Sequence, residues 1–194
     1  MALRELNTRL PLTQIFRSVC RPLSRAGGNP PSDAHLVAVA VSSSIVETEL
    51  VREVRLYVVR TTMDTSAVPS ASETAGALRI TDDQAIEAYR QLAEGHVYVL
   101  EPRDPGRLRM ANPFSAIPTP FEVETSGRHY YGNCVWDGLG IISLMGGTGQ
   151  LKTRCPDCGE TMTLAVSDRA LVDKEGLVHF SIPAARWWDD IIFT

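Results

Sequence analysis

The sequence predicts an α+β protein in two parts: a helical region closing on a two-stranded ribbon, then a small, mostly-β domain with one key helix. Three observations predict it. Apolar residues recur at helical spacing between Glu47 and Gly95. Two capping-box sequences lie within that stretch. After Asn112 the texture changes to short strand-like runs, interrupted by a helical stretch from Cys134 to Met145.

Residues 1–45 come first and are the least patterned. Leu12 to Leu23 is apolar-periodic and leads into Gly27-Gly28-Asn29-Pro30-Pro31, so this part reads as one helix followed by a mobile loop. The region 46–112 is sharper. Leu50, Val54, Tyr57 and Val58 mark a helix to about Thr62. Ser70-Ala71-Ser72-Glu73, just after Pro69, opens a short second helix, and Thr81-Asp82-Asp83-Gln84 opens a third that ends near Gly95. His96 to Leu100, a turn at Pro102 to Gly106, and Arg107 to Met110 complete a ribbon. Three helices followed by a two-stranded ribbon is the winged-helix order.

A winged helix raises the question of DNA, so the third helix is weighed as a recognition helix. It carries Asp82, Asp83, Glu87 and Glu94 against the single Arg90, and such a surface repels phosphates. The ribbon does offer Arg103, Arg107 and Arg109. The acidic helix favours a structural winged helix, without a nucleic-acid partner.

The region 113–194 reads as the second domain. Phe121 to Glu124, His129 to Tyr131, Gln150 to Arg154, Thr161 to Val166 and Leu177 to Ile182 are its strand candidates. The Cys134 helix, ended by Gly146-Gly147, lies on them, and Trp187 opens a further element. Trp187-Trp188 reads as core rather than as a substrate platform. The chain stops on the apolar Ile191-Ile192-Phe193-Thr194, which suggests either an early ending or a terminus packed into the core.

Composition narrows the function classes. The 194 residues are 44% hydrophobic and 22% charged, as a folded globular chain is. A net charge of -4 gives no general basic surface for nucleic acid. The longest apolar run, Leu36 to Val41, falls far short of the roughly 20 residues that span a bilayer. The N-terminus mixes Arg4, Glu5 and Arg9 with apolar residues and lacks a signal-peptide core, so a cytoplasmic protein is expected, with no membrane partner. Four cysteines, Cys20, Cys134, Cys155 and Cys158, are too few and too unevenly spaced for a disulfide framework. Cys20 reads best as a small buried apolar residue.

The stretch Gly132-Asn133-Cys134-Val135-Trp136-Asp137-Gly138-Leu139-Gly140 concentrates the chemistry. Asn133 is a strong N-cap type, which puts Cys134 in the first helical turn, where the positive dipole end lowers a thiol's pKa. Asp137, three residues on, shares its face. Like-charge repulsion keeps a proton on one of the two groups, so the pair offers a soft ligand beside a proton donor. Cleaving a bond between carbon and a soft metal uses both. The plain alternative is a buried cysteine and a solvated aspartate at accidental spacing, and on spacing alone that alternative is preferred.

Four motifs shift the balance. "NPFSAIPTPFEV" (Asn112 to Val123), "GNCVWDGLGI" (Gly132 to Ile141), "RCPDCGE" (Arg154 to Glu160) and "VHFSIPAARWWDDIIFT" (Val178 to Thr194) together resemble the organomercurial (alkylmercury) lyase family, with a likeness running from about Glu47 to the end. The resemblance implies protonolytic cleavage of a carbon–mercury bond, giving hydrocarbon and Hg(II) without an organic cofactor. It implies catalytic roles for Cys134 and Asp137, with Cys134 also the mercury ligand. It further implies a second catalytic cysteine in or just after the segment matching Phe193-Thr194, where this sequence has none. A catalytically impaired homologue that binds or senses a thiophilic metal or organometal is therefore the alternative. The expected partners are a small organomercurial or thiophilic-metal ligand and external thiols.

Cys155-Pro156-Asp157-Cys158-Gly159 is half of a zinc ribbon. Three readings compete, in this order: a tight turn with unligated thiols, an auxiliary mercury-holding pair, or a structural zinc site completed by His129, His179 or Cys134. Gly146-Gly147-Thr148-Gly149 lacks the lysine of a phosphate-binding loop.

Overall fold

The protein is described here by a computed structural model covering residues 48–172, 178, 180 and 182–192. The N-terminal helix and loop expected over 1–45, and Cys20 with them, lie outside the described residues, as do His179, Phe193 and Thr194. The described chain is α+β, with two sheets and two cores.

Three helices come first, in the expected order. Helix α1 (Glu49–Thr65) is capped by Thr48 and buries Val51, Val54, Val58 and Thr62 along one face. Helices α2 (Ala71–Leu78) and α3 (Asp82–Glu94) open with complete capping boxes at Ser70/Glu73 and Thr81/Gln84, so their boundaries follow the sequence signals closely. Tyr89 stands at the centre of this core, fully buried, with its hydroxyl donating to the Pro69 carbonyl at 3.0 Å and bonded to Thr74 at 2.8 Å. The Tyr98 ring packs edge-on against it at 5.6 Å.

The ribbon differs from expectation in its turn. Strands β1 (Tyr98–Glu101) and β2 (Asp104–Ala111) pair almost to the tip, so Asp104 to Gly106 are strand rather than turn. Register shifts opposite Val99/Leu100 and Leu100/Glu101 leave the extra residues on β2. Two of the arginines expected on the ribbon sit near its own acids, Arg107 at 3.5 Å from Asp104 and Arg109 at 3.6 Å from Glu101. A short β3 (Phe114–Ser115) then pairs with β2.

The second sheet has the order β5-β4-β6-β7-β8, all antiparallel. Its strands are β4 (Glu122–Thr125), β5 (Arg128–Tyr131), β6 (Gly149–Arg154), β7 (Thr161–Ser167) and β8 (Ala170–Leu171). Helix α4 (Val135–Leu144) lies on β4 and β6, burying Ile141 and Ile142 with Phe114, Val123, Tyr130 and Leu151. The two parts are tied together: the Tyr130 hydroxyl donates to the Met63 carbonyl of α1 at 2.6 Å, and Phe114 bridges to Gly132.

The strand expected over Leu177 to Ile182 falls largely on residues outside those described. The element expected from Trp187 is a 3-10 helix, Ala184–Asp189. Its tryptophans pack, but half-buried and outside both cores. Trp188 stacks on His96 at 4.2 Å, while Trp187 lies against Phe180 and donates to the Ile182 carbonyl. Among the described residues no helix is long and apolar enough to cross a membrane.

Candidate functional site

The chain leaves β5 at Tyr131 and turns directly into α4, and two glycines make that turn fit. Gly132 donates to the Phe121 carbonyl at 2.9 Å, and its own carbonyl accepts from the Thr119 hydroxyl. A Cβ at Gly132 would stand 2.7 Å from the Gly138 nitrogen and 3.1 Å from the Cys134 carbonyl oxygen. A Cβ at Gly138 would meet the buried Leu151 side chain at 2.7 Å. Only glycine lets the helix start sit this close to the strands beneath it.

Cys134, not Asn133, is the N-cap, with extended φ -151° and ψ -178° and no side-chain capping hydrogen bond. The expected cap is therefore shifted by one residue. The Asn133 amide is engaged elsewhere: its Nδ2 donates to Asn112 Oδ1 at 3.4 Å and faces the Asp137 carboxylate. Its Oδ1 is buried without a hydrogen-bond partner.

Asp137 lies at the third helical position and interacts electrostatically with Cys134. Burial pushes the Asp137 carboxyl above the usual carboxylate range. The Asn133 side chain, the Cys134 thiol and the backbone N–H groups of Asn133 and Cys134 favour its ionised form but do not outweigh burial. For Cys134 the expected acidity is reversed. Burial, and next the Asp137 charge, push its thiol up to about 11, against the opposing pull of the N–H groups of Trp136 and Asp137. Desolvation of a half-buried sulfur outweighs the helix dipole. At neutral pH the thiol thus keeps its proton, with a carboxyl alongside that holds a proton more tightly than an exposed one.

Trp136, between the two groups in sequence, is 64% exposed and flanks the site with a large apolar surface. Sequence reasoning passed over it, although a solvent-facing tryptophan in a first turn is itself a signal. Thr153 was also missed. Its hydroxyl is buried without a hydrogen-bond partner, on the same face of β6 as Leu151.

Cys155 continues that face. Leu151, Thr153 and Cys155 are buried while Lys152 and Arg154 point outward. In register, Tyr131 opposes Glu122 and Glu122 opposes Lys152, with β5 and β6 both antiparallel to β4. The two chains therefore leave the sheet at the same end, with Cys134 and Cys155 each three residues beyond that line. Cys158 is exposed, Cys155 buried and Cys134 half-buried. His129 is exposed on β5, and no group of three or more His, Cys, Asp or Glu gathers among the described residues in a way that could hold a metal ion.

This geometry coincides with a sequence match. Residues 114–194 match the family model MerB: Alkylmercury lyase. The matched alkylmercury lyase segment contains Cys134, Asp137, Cys155 and Cys158, whereas the three helices and the β1–β2 ribbon precede it. Among solved structures, the mercury-bound form of MerB2 is similar at a TM-score of 0.49 and 18% identity, with 64% of this chain covered. The likeness spans 66% of that protein's chain. No curated protein matches.

Proposed function

We propose that the protein is an organomercurial lyase that cleaves a carbon–mercury bond by protonolysis at Cys134 and Asp137. The observation that carries this is the half-buried thiol–carboxyl pair at the start of α4, inside the segment matching the alkylmercury lyase family.

The electrostatics suit the chemistry. An organomercurial cation binding the Cys134 sulfur displaces its proton, because a mercury–sulfur bond forms as the sulfur–hydrogen bond breaks. Asp137, with its raised proton affinity, takes that proton and lies close enough to pass it on. The carbon–mercury bond then breaks as its electron pair accepts the proton, releasing hydrocarbon and leaving Hg(II) on sulfur. A second thiol, from the protein or from solution, completes the coordination of the product. The helical region and ribbon serve as a structural support for the second core.

The test is turnover of phenylmercury by the purified chain with excess small thiol, read as benzene by gas chromatography. Stoichiometric or faster release is expected, and Cys134→Ser is expected to release none. Tight phenylmercury binding at Cys134 without benzene would instead support the alternative, an organometal-binding homologue.

A further inference from the structure

We infer that Cys155 and Cys158 form a second, separate binding site: a two-thiol receptor for a soft divalent ion such as Hg(II). The turn that carries them is tightly fixed. Cys155 N–H donates to the Glu160 carbonyl at 2.9 Å, and Gly159 N–H donates back to the Cys155 carbonyl at 2.9 Å. Gly159 takes φ +72°, a conformation that favours glycine, and thereby closes a single helical-type turn. Residues three apart in such a turn share one side of it, which is the arrangement that lets two sulfurs hold one ion.

Their environments are complementary. Cys158 is exposed and meets an arriving ion first. Cys155 is 2% exposed and shields the second sulfur–metal bond from water. Thiolates select soft ions, and two of them satisfy an ion that takes two ligands. Binding is balanced as two sulfur–hydrogen bonds lost, two sulfur–metal bonds formed and two protons released. No third protein ligand is required.

Placement gives the site a use. Cys134 follows β5 and Cys155 follows β6, and these two strands, with β4 between them, leave the sheet at the same end. An ion released at Cys134 then has an exposed thiol, Cys158, on the turn that follows β6 at that end of the sheet. The inference rests on the lyase reading only for the source of that ion; the binding site itself stands on the turn.

The experiment uses the full chain with Cys20→Ser and Cys134→Ser combined, so that only the turn thiols remain. Hg(II) is supplied from a glutathione buffer and followed by the thiolate-to-mercury absorption in the ultraviolet. One equivalent is expected to bind. Adding Cys158→Ser, an exposed change that leaves the fold intact by circular dichroism, is expected to weaken binding about 10²–10⁴-fold, as loss of an intramolecular second ligand does. Equal affinity with and without Cys158, or no binding by the two-thiol chain, would overturn the site. Because no organomercurial is used, its failure is distinct from failure of the lyase reading, which benzene release tests.

Discussion

Helices α3 and α4 both open with an acidic residue in the first turn, yet they are built on opposite terms. In α3, Thr81 and Gln84 satisfy the free N–H groups reciprocally, and Asp82 and Asp83 stay exposed. In α4, Cys134 caps without a side-chain hydrogen bond, and Asp137 is drawn into the protein. The first helix follows local rules and gains stability from them. The second gives up the cap and tolerates Gly138 and Gly140, and is held instead by contact with β4 and β6. A helix start that departs from the capping rules in this way is a candidate for a functional site.

The largest expected difference between the two helix starts is in turnover. Asp137→Asn should lower phenylmercury cleavage by roughly 10²–10⁴-fold, the usual worth of a positioned general acid. Binding of the organomercurial should persist, because the sulfur remains. Asp83→Asn, also a first-turn acid, should leave turnover unchanged. Steady-state rates with equilibrium binding of the same compound would check both, and an active Asp137→Asn protein would remove the carboxyl from the mechanism.

Backbone contact should separate the regions next. Gly132→Ala places a Cβ against backbone atoms that cannot yield, and should destabilise by about 1–3 kcal/mol. Gly76, exposed inside α2 with nothing within 4 Å of an added Cβ, should behave oppositely. Gly76→Ala should stabilise by about 0.5–1 kcal/mol. Urea unfolding of the pair would test whether the tight fit is confined to the site.

Titration sharpens the contrast further. The Cys134 thiolate should appear with a midpoint near 11, so alkylation should be slow at neutral pH and rise through the alkaline range. Asp137→Asn should lower that midpoint, since the carboxylate charge is the second cause of the shift after burial. The sign for stability follows. A raised pKa favours the protonated thiol in the fold, so that contribution is full below the ordinary thiol value and is lost as pH climbs through about 11. Site-resolved alkylation by mass spectrometry gives the midpoint, and a value below that of an ordinary thiol would restore control to the helix dipole.

How much was legible follows the same division. Ser70, Glu73, Thr81 and Gln84 placed α2 and α3 almost to the residue, because capping is decided within four positions of the chain. The motif from Gly132 to Ile141 pointed to the candidate site with its thiol and carboxyl. The state of those groups was not legible. The dipole at a helix start is a local property, whereas the burial that raises Cys134 comes from packing against distant strands. Nor could spacing show that Cys155 is buried while Cys158 is exposed, because that depends on the β6 face and the turn closed by Glu160.

The smallest expected effect bears most directly on why α4 starts on a cysteine. Ser70→Ala removes a working capping box and should cost about 1 kcal/mol. Cys134→Ser should do the reverse. A serine hydroxyl at the N-cap accepts from first-turn N–H groups more strongly than a thiol does, and Asp137 already stands at the third position that a capping box uses. A gain of about 0.5–1 kcal/mol is expected, together with complete loss of cleavage. Thermal and urea unfolding of both variants would measure it. A stabilised, inactive Cys134→Ser protein would mean that the thiol is retained at the expense of the helix, for its chemistry. A destabilised one would mean that the packing which raises its pKa also makes sulfur the better-fitting atom, and α4 would then be as locally consistent as α3.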